Sequence, residues 1–264
     1  MDLTSSIILG ITQGLTEFLP ISSSGHLIIV RDLLGIQIVN GLAFDAVLQL
    51  ATTLAVLVYF RKDLFKIFIN FFKIVSGKVV EKSEKVMVYA LIIGTIPAVI
   101  FGLILEDFMD TTFRSTGLVA VTLVLGALVM FFAERASATK RQLSIKNGFF
   151  IGLFQALALI PGMSRSGMTI AGGLFNGLSR EMAIKFGFIL AFPILFGSGL
   201  KKLMDLGSTG LLESFGFNLM IGSIVSFAVG LAAIWFLVKY LKTHTLKVFV
   251  VYRILLAVVL LLFI

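Results

Sequence analysis

The sequence predicts an all-α polytopic membrane protein, an inverted-topology repeat in which each half is a re-entrant helix-loop-helix hairpin plus three transmembrane helices. Three observations carry this expectation. Hydrophobic residues fill 58% of the 264 positions and charged residues 14%, with a mean hydropathy of +1.07, a balance that belongs in lipid and not in water. Two stretches repeat one another, GITQGLTEFLPISSSGH from Gly10 to His26 and GLFQALALIPGMSRSGM from Gly152 to Met168. Lysine and arginine crowd the connecting segments expected on one face of the membrane.

Taken in order, the first hairpin is expected between Ser6 and Leu34, where an apolar run is interrupted by Pro20-Ile21-Ser22-Ser23-Ser24-Gly25. Proline lacks the N–H that helix continuation needs, and serine and glycine favour caps and turns, so this reads as helix, loop and helix. Spans are then expected over Ala43 to Phe60, Val86 to Leu105 and Gly117 to Ala133, the first two separated by a charged loop from Arg61 to Lys85. The second hairpin is expected between Asn147 and Leu178, broken at Pro161-Gly162-Met163-Ser164-Arg165-Ser166-Gly167. Spans over Lys185 to Leu200, Phe217 to Val238 and Val248 to Ile264 complete the chain. Non-helical backbone at membrane depth is tolerated where protein buries it or a wet cavity meets it, so both hairpins should pack inside the bundle.

The repeat is dense in the hairpins. Shifted by 142 positions, Gly10, Gln13, Leu15, Ser22, Ser24 and Gly25 fall on Gly152, Gln155, Leu157, Ser164, Ser166 and Gly167. It continues at an offset of 128, where Leu91 to Ile96 match Leu219 to Ile224 and Gly102-Leu103 match Gly230-Leu231. The chain is read as one integral membrane domain over 1–264, with repeats of about 1–142 and 143–264. Because a re-entrant hairpin leaves on the side it entered, each half crosses an odd number of times and the second half is inverted. Gly94, Ala98 and Gly102, with their counterparts Gly222, Ser226 and Gly230, form small-residue stripes suited to close helix packing.

Charge points to the same topology. Sixteen Lys and Arg lie in Arg61 to Lys85, Arg135 to Lys146, Arg180 with Lys185, and Lys239, Lys242 and Lys247, against Arg31, Arg114, Lys201 and Lys202 on the opposite face. By the positive-inside rule the rich face is cytoplasmic and both termini lie outside. The net charge of +8 is therefore a topology signal and not a sign of nucleic acid. No cysteine is present, which excludes disulfides and thiolate metal sites. Met1-Asp2-Leu3 lacks a basic n-region and no small-residue cleavage site follows, so no removable signal peptide is expected.

The chemistry is concentrated at the two breaks. Glu17, His26 and Arg165 are the carboxylate, imidazole and guanidinium of these segments, and burying such groups costs about 2.5 to 3.5 kcal/mol each even on insertion scales. Gln13 and Glu17, spaced i, i+4, share a helix face. Ser24-Gly25 and Ser166-Gly167 open half-helices whose N-termini present free N–H groups, an arrangement that binds anions. Two such ends, several hydroxyls and one arginine describe a phosphate pocket. Simpler roles compete with this reading: serine and glycine as caps and packing devices, Glu17 and His26 as polar glue, Arg165 as a partner that neutralises Glu17. Asp45 and Gln49 could reach the pocket, with an interfacial carboxylate the simpler role for Asp45, and Arg253 is expected to snorkel to the cytoplasmic surface.

QGLTE from Gln13 to Glu17, PISSSGH from Pro20 to His26 and PGMSRSGMT from Pro161 to Thr169 resemble the signature regions of the bacterial undecaprenyl pyrophosphate phosphatases, also known as bacitracin resistance proteins. PGMSRSGMT matches P-G-x-S-R-S-x-x-T at every fixed position, while Gln13 stands where many members have Glu. The resemblance implies hydrolysis of undecaprenyl diphosphate to the monophosphate carrier used in cell-wall synthesis, with a divalent cation (Mg or Ca) required. It implies a bacterial cytoplasmic membrane location with activity reachable from the outer side. Carried over by position, its functional residues are Glu17, Ser23, His26, Ser164, Arg165, Ser166 and Thr169.

On this basis Glu17, Ser23, His26 and Arg165 are expected to be catalytic. Ser22, Ser24, Gly25, Gly162, Ser164, Arg165, Ser166 and Thr169 would bind the diphosphate, and Glu17 and Gln13 the metal. Expected partners are a polyprenyl diphosphate and membrane lipids, with no nucleic acid; a homodimer is compatible with the sequence. A lipid-phosphate transporter or flippase would use the same inverted repeat, whereas a structural scaffold gives no reason for Arg165.

Overall fold

A computed structural model describes residues 2–36, 41–112, 116–136, 141–208 and 211–263. Arg114 and Lys140, which enter the charge asymmetry, and the terminal Met1 and Ile264 lie outside the described residues. Within them the chain forms helices α1 (Leu3–Phe18), α2 (Ser23–Leu34), α3 (Gly41–Tyr59), α4 (Arg61–Val75), α5 (Lys82–Thr112) and α6 (Thr116–Ala136). The second half supplies α7 (Ile145–Leu157), α8 (Arg165–Phe175), α9 (Arg180–Ser208), α10 (Leu211–Tyr240) and α11 (Lys247–Phe263). Both hairpins form where expected, and each start carries a side-chain cap that satisfies first-turn N–H groups. Asp2 accepts from Ser5 N at 2.8 Å to open α1, and Ser144 and Asn147 form a reciprocal capping box at α7.

Four helices are long and apolar enough to cross a bilayer among the described residues, over 82–104, 116–136, 180–208 and 216–240, and a fifth span is counted if bent α3 and α4 are taken together. The 17 residues of α11 sit at the lower end of spanning length. α5 and α9 begin earlier than the apolar runs, because Lys82 to Lys85 and Arg180 to Met182 are good helix formers whose charged heads extend to the membrane surface. The region expected as a charged loop is partly helical. After Phe60 the chain turns by 83° into α4, an amphipathic helix with Phe65, Phe68 and Phe72 exposed in one stripe beside Lys62, Lys66 and Lys73. Such a helix suits the interface, not a crossing.

The halves exchange partners. α1 packs on α10, α7 on α5, α3 on α9 and α6 on α11, so each hairpin lies against a helix of the other half. Glycine makes two of these contacts close enough for backbone to meet backbone. A Cβ on Gly10 would strike Gly222 and one on Gly14 would strike Ser226 and Gly230; in the other half Gly148 lies on Ala90 and Gly152 on Gly94. Gly102 departs from its stripe, since a Cβ there meets nothing within 4 Å. The main core joins α8, α9 and α10 through Met168, Ile170, Leu174, Phe186, Leu190 and Ile234, directly behind the second loop.

Candidate active site between the two helix breaks

The two helix breaks fold alike and meet. Ser22 and Ser164, 142 positions apart, adopt left-handed backbone at φ 77° and 72°, a conformation rare for residues with a side chain. Each caps the following half-helix: Ser22 Oγ accepts from Gly25 N at 3.4 Å and Ser164 Oγ from Gly167 N at 3.2 Å. Across the junction Gly162 N donates to Ser22 Oγ at 3.2 Å and Ser166 Oγ donates to Leu19 O at 3.2 Å. Ser24 Oγ and Ser166 Oγ lie 3.4 and 3.2 Å from the Oγ atoms of their respective caps. Ser22, Ser164, Gly25 and Gly162 thus use their polar groups to build and join the loops, while Ser24 is exposed.

Glu17 sits at the end of α1, 7% exposed, within a ring of polar side chains. Gln13 Nε2 donates to its Oε2 at 2.8 Å and Ser23 Oγ donates to the same oxygen at 2.6 Å. Gln49, reaching in from α3, donates at 3.3 and 3.4 Å. Its neighbour Asp45 turns instead to an ion pair with Arg31. Glu17 shares a cavity of about 10 Å³ with Arg165, Ser166, Thr169, Phe188 and Leu195, no more than one water molecule needs. Arg165 is not held by the Glu17 oxygens, which are taken by Gln13, Ser23 and Gln49, and its Nη1 is buried without a partner. No hydrogen-bonded ion pair joins the two charges, although Glu17 lies close enough for its negative charge to act on the guanidinium.

His26 is not brought to that cavity. Its Nδ1 lies 2.7 Å from Ser22 O and its Nε2 2.7 Å from Tyr252 Oη, with the two rings stacked at 5.7 Å. A carbonyl can only accept, so Nδ1 carries the proton and, in the neutral ring, Nε2 accepts from Tyr252. His26 and Tyr252 line a separate, mostly apolar groove of about 430 Å³ with Leu15, Leu19, Ile21 and Phe249.

Arg253 corrects an expectation. It does not snorkel to the surface: it is 0% exposed and donates to Leu123 O at 3.1 Å, Pro20 O at 3.3 Å, Thr122 O at 3.4 Å and Gly162 O at 2.7 Å. Loop carbonyls freed by the two helix breaks compensate for its burial where the membrane surface would otherwise have done so. Sequence reading also missed Tyr252. It lies next to Arg253 on α11, a helix remote in sequence from both motifs, and no local pattern links the two.

A family model for the bacitracin resistance protein BacA matches residues 6–259. The chain belongs to that family. The chain is similar to a protein of Idiomarina loihiensis, 42% identical over 264 residues and covering 98% of each chain. One of Thermobifida fusca is 43% identical, covering 99% of this chain and 90% of its own length, and one of Corynebacterium glutamicum is 44% identical over 94% and 86%. Each of these is named undecaprenyl-diphosphatase.

Proposed function

We propose that this multi-pass membrane protein is an undecaprenyl-diphosphatase, releasing the terminal phosphate of undecaprenyl diphosphate and returning the monophosphate to cell-wall synthesis. The observation that carries the reading is the buried, unpartnered Nη1 of Arg165, which shares a cavity with a carboxylate that accepts no hydrogen bond from it. A buried guanidinium donor without an acceptor calls for an anionic one, and its planar fork suits phosphate oxygens. First-turn N–H groups of α2 and α8 extend the cradle, and Ser166 and Thr169 join it by exchanging their bonds to Leu19 O and Arg165 O for phosphate oxygens. Phosphoryl transfer asks mainly for positioning and charge stabilisation, which such a cradle supplies.

Ser23 is the proposed nucleophile and Glu17 its base, since the 2.6 Å hydrogen bond between them is the geometry of an activated hydroxyl. Oγ bonds the terminal phosphorus as the bond from phosphorus to the bridging oxygen breaks and undecaprenyl phosphate leaves. The hydroxyl proton passes to Glu17, and water then hydrolyses the phosphoserine to inorganic phosphate and free Ser23. His26, with Nε2 engaged by Tyr252, holds the Ser22 carbonyl and so fixes the start of α2; proton transfer to its Nε2 requires the Tyr252 hydroxyl to move aside. The apolar groove beside His26 runs along the first loop and suits the prenyl units next to the diphosphate. Because the central cavity holds about 10 Å³, entry of the headgroup requires Val56, Phe188 and Leu195 to yield.

A divalent cation fits these residues in a specific way. No group of three or more His, Cys, Asp or Glu occurs among the described residues, so the protein offers Glu17, the Gln13 amide oxygen and Ser23 Oγ, all hard oxygen donors. Magnesium is commonly held by one carboxylate together with substrate phosphates, and when bound it would supply neutralisation of the transferring phosphate. Gln13 in place of a carboxylate shifts more of that coordination to the diphosphate.

The inverted repeat is part of the same proposal. Exchange of helix partners between halves and the equivalence of Ser22 and Ser164 support it, and the charge asymmetry supports termini outside and a location in the bacterial cytoplasmic membrane. Purified protein given undecaprenyl diphosphate and Mg²⁺ is expected to yield monophosphate and inorganic phosphate in equal amounts. Movement of the intact diphosphate across vesicles without phosphate release would favour a transporter instead.

A further inference from the structure

Arg253 is a buried charged residue that the phosphatase reading does not use. It is buried, pairs with no carboxylate among the described residues, and spends its donors on four backbone carbonyls. Two of the four, Pro20 O and Gly162 O, are equivalent positions of the two loops, 142 apart like Ser22 and Ser164. The other two, Thr122 O and Leu123 O, belong to α6, which also receives the second loop through a bond from Thr122 Oγ1 to Pro161 O at 2.7 Å. One guanidinium therefore ties corresponding points of both loops to one helix.

The site is divided between those loops. Glu17 and Ser23 flank the first and Arg165 follows the second, so their mutual placement depends on how the loops are held together. Each loop also carries a serine in left-handed backbone, a conformation that persists only where its surroundings over-determine it. Gly126 on α6 is fitted to the same purpose: a Cβ there would strike Nη2 of Arg253 and lie 2.8 Å from Met163 O. Lysine could not replace the arginine, because an ammonium is a point donor and cannot span two carbonyls as a planar fork does.

We propose that Arg253 is a positioning residue for phosphoryl transfer, a staple that sets the two re-entrant loops in register so that Ser23 and Arg165 address one phosphate. This rests on the phosphatase reading. A misplacement on the order of 1 Å costs about 100-fold in such reactions. In monodisperse, folded full-length protein, Arg253→Lys is therefore expected to lower kcat by about 100-fold while KM for undecaprenyl diphosphate stays within about threefold. Arg253→Ala should regain activity with added methylguanidinium and not with methylammonium at equal ionic strength. Should Arg253→Lys fail to fold, Gly126→Ala, which displaces the guanidinium without removing it, should show the same split between kcat and KM.

A folded Arg253→Lys or Gly126→Ala protein with wild-type kcat, or rescue by methylammonium as good as by methylguanidinium, would overturn the staple alone. Folded wild-type protein that releases no phosphate would remove the phosphatase reading and the staple with it.

Discussion

At the scale of single residues, Arg165 and Gln13 give the sharpest expectations. Arg165→Lys retains the charge and loses the fork, so kcat/KM for phosphate release should fall by about two orders of magnitude, about 3 kcal/mol; a loss below threefold would reduce the guanidinium to a counter-charge. Gln13→Glu adds a carboxylate beside Glu17 and should keep activity while tightening Mg²⁺ dependence toward higher pH, because an added ligand must be deprotonated to bind. An inactive, folded Gln13→Glu protein would show that the Gln13 amide hydrogen bond to Glu17, at 2.8 Å, matters more than the oxygen it offers a cation. These residues were legible in sequence because a carboxylate or guanidinium inside an apolar, proline-broken segment announces itself. Gln49 was legible too, as a polar residue of the first span within reach of the pocket, and it bonds Glu17 from that helix. Tyr252 and Arg253 were not, since Arg253 is satisfied by backbone carbonyls, which leave no mark in a sequence. Five residues into a terminal span, it looked like a side chain bound for the surface.

At the scale of elements, the contrast between Gly152, which packs against Gly94 of the first stripe, and Gly102 of that stripe is a clean test of the seam. Gly152→Ala would press a methyl into the Gly94 backbone across α5 and α7, and overpacking of this kind destabilises by about 1–3 kcal/mol. Gly102→Ala meets open space and should be neutral or stabilising by up to about 1 kcal/mol, since alanine favours helix; unfolding in detergent measures both. Equal destabilisation by the two would mean that the seam is not what the stripe encodes. Hydropathy located the four long apolar helices and the bent α3–α4 pair found among the described residues, and proline with serine located the breaks, because both signals are local. α4 was missed since its lysines and serine-glycine exit resemble a loop, whereas its Phe65, Phe68 and Phe72 spacing, read for period and not for charge, would have revealed a surface helix.

At the scale of the whole molecule, pairing of each hairpin with the other half is what brings a carboxylate from one repeat to an arginine from the other. If the halves are inverted, tags on the two ends should both be reached from outside the cell and the 61–85 segment only from the cytoplasm; ends found on opposite faces would remove the inversion. The most direct test of a hydrolytic site between the loops is phosphate release from undecaprenyl diphosphate by wild-type and Glu17→Gln protein purified and reconstituted side by side. Glu17→Gln nearly preserves shape and removes the charge, so it should bind the lipid diphosphate and release no phosphate while the wild type turns over. Near wild-type release by Glu17→Gln would contradict the assignment of this carboxylate to the reaction and leave it as glue between helices.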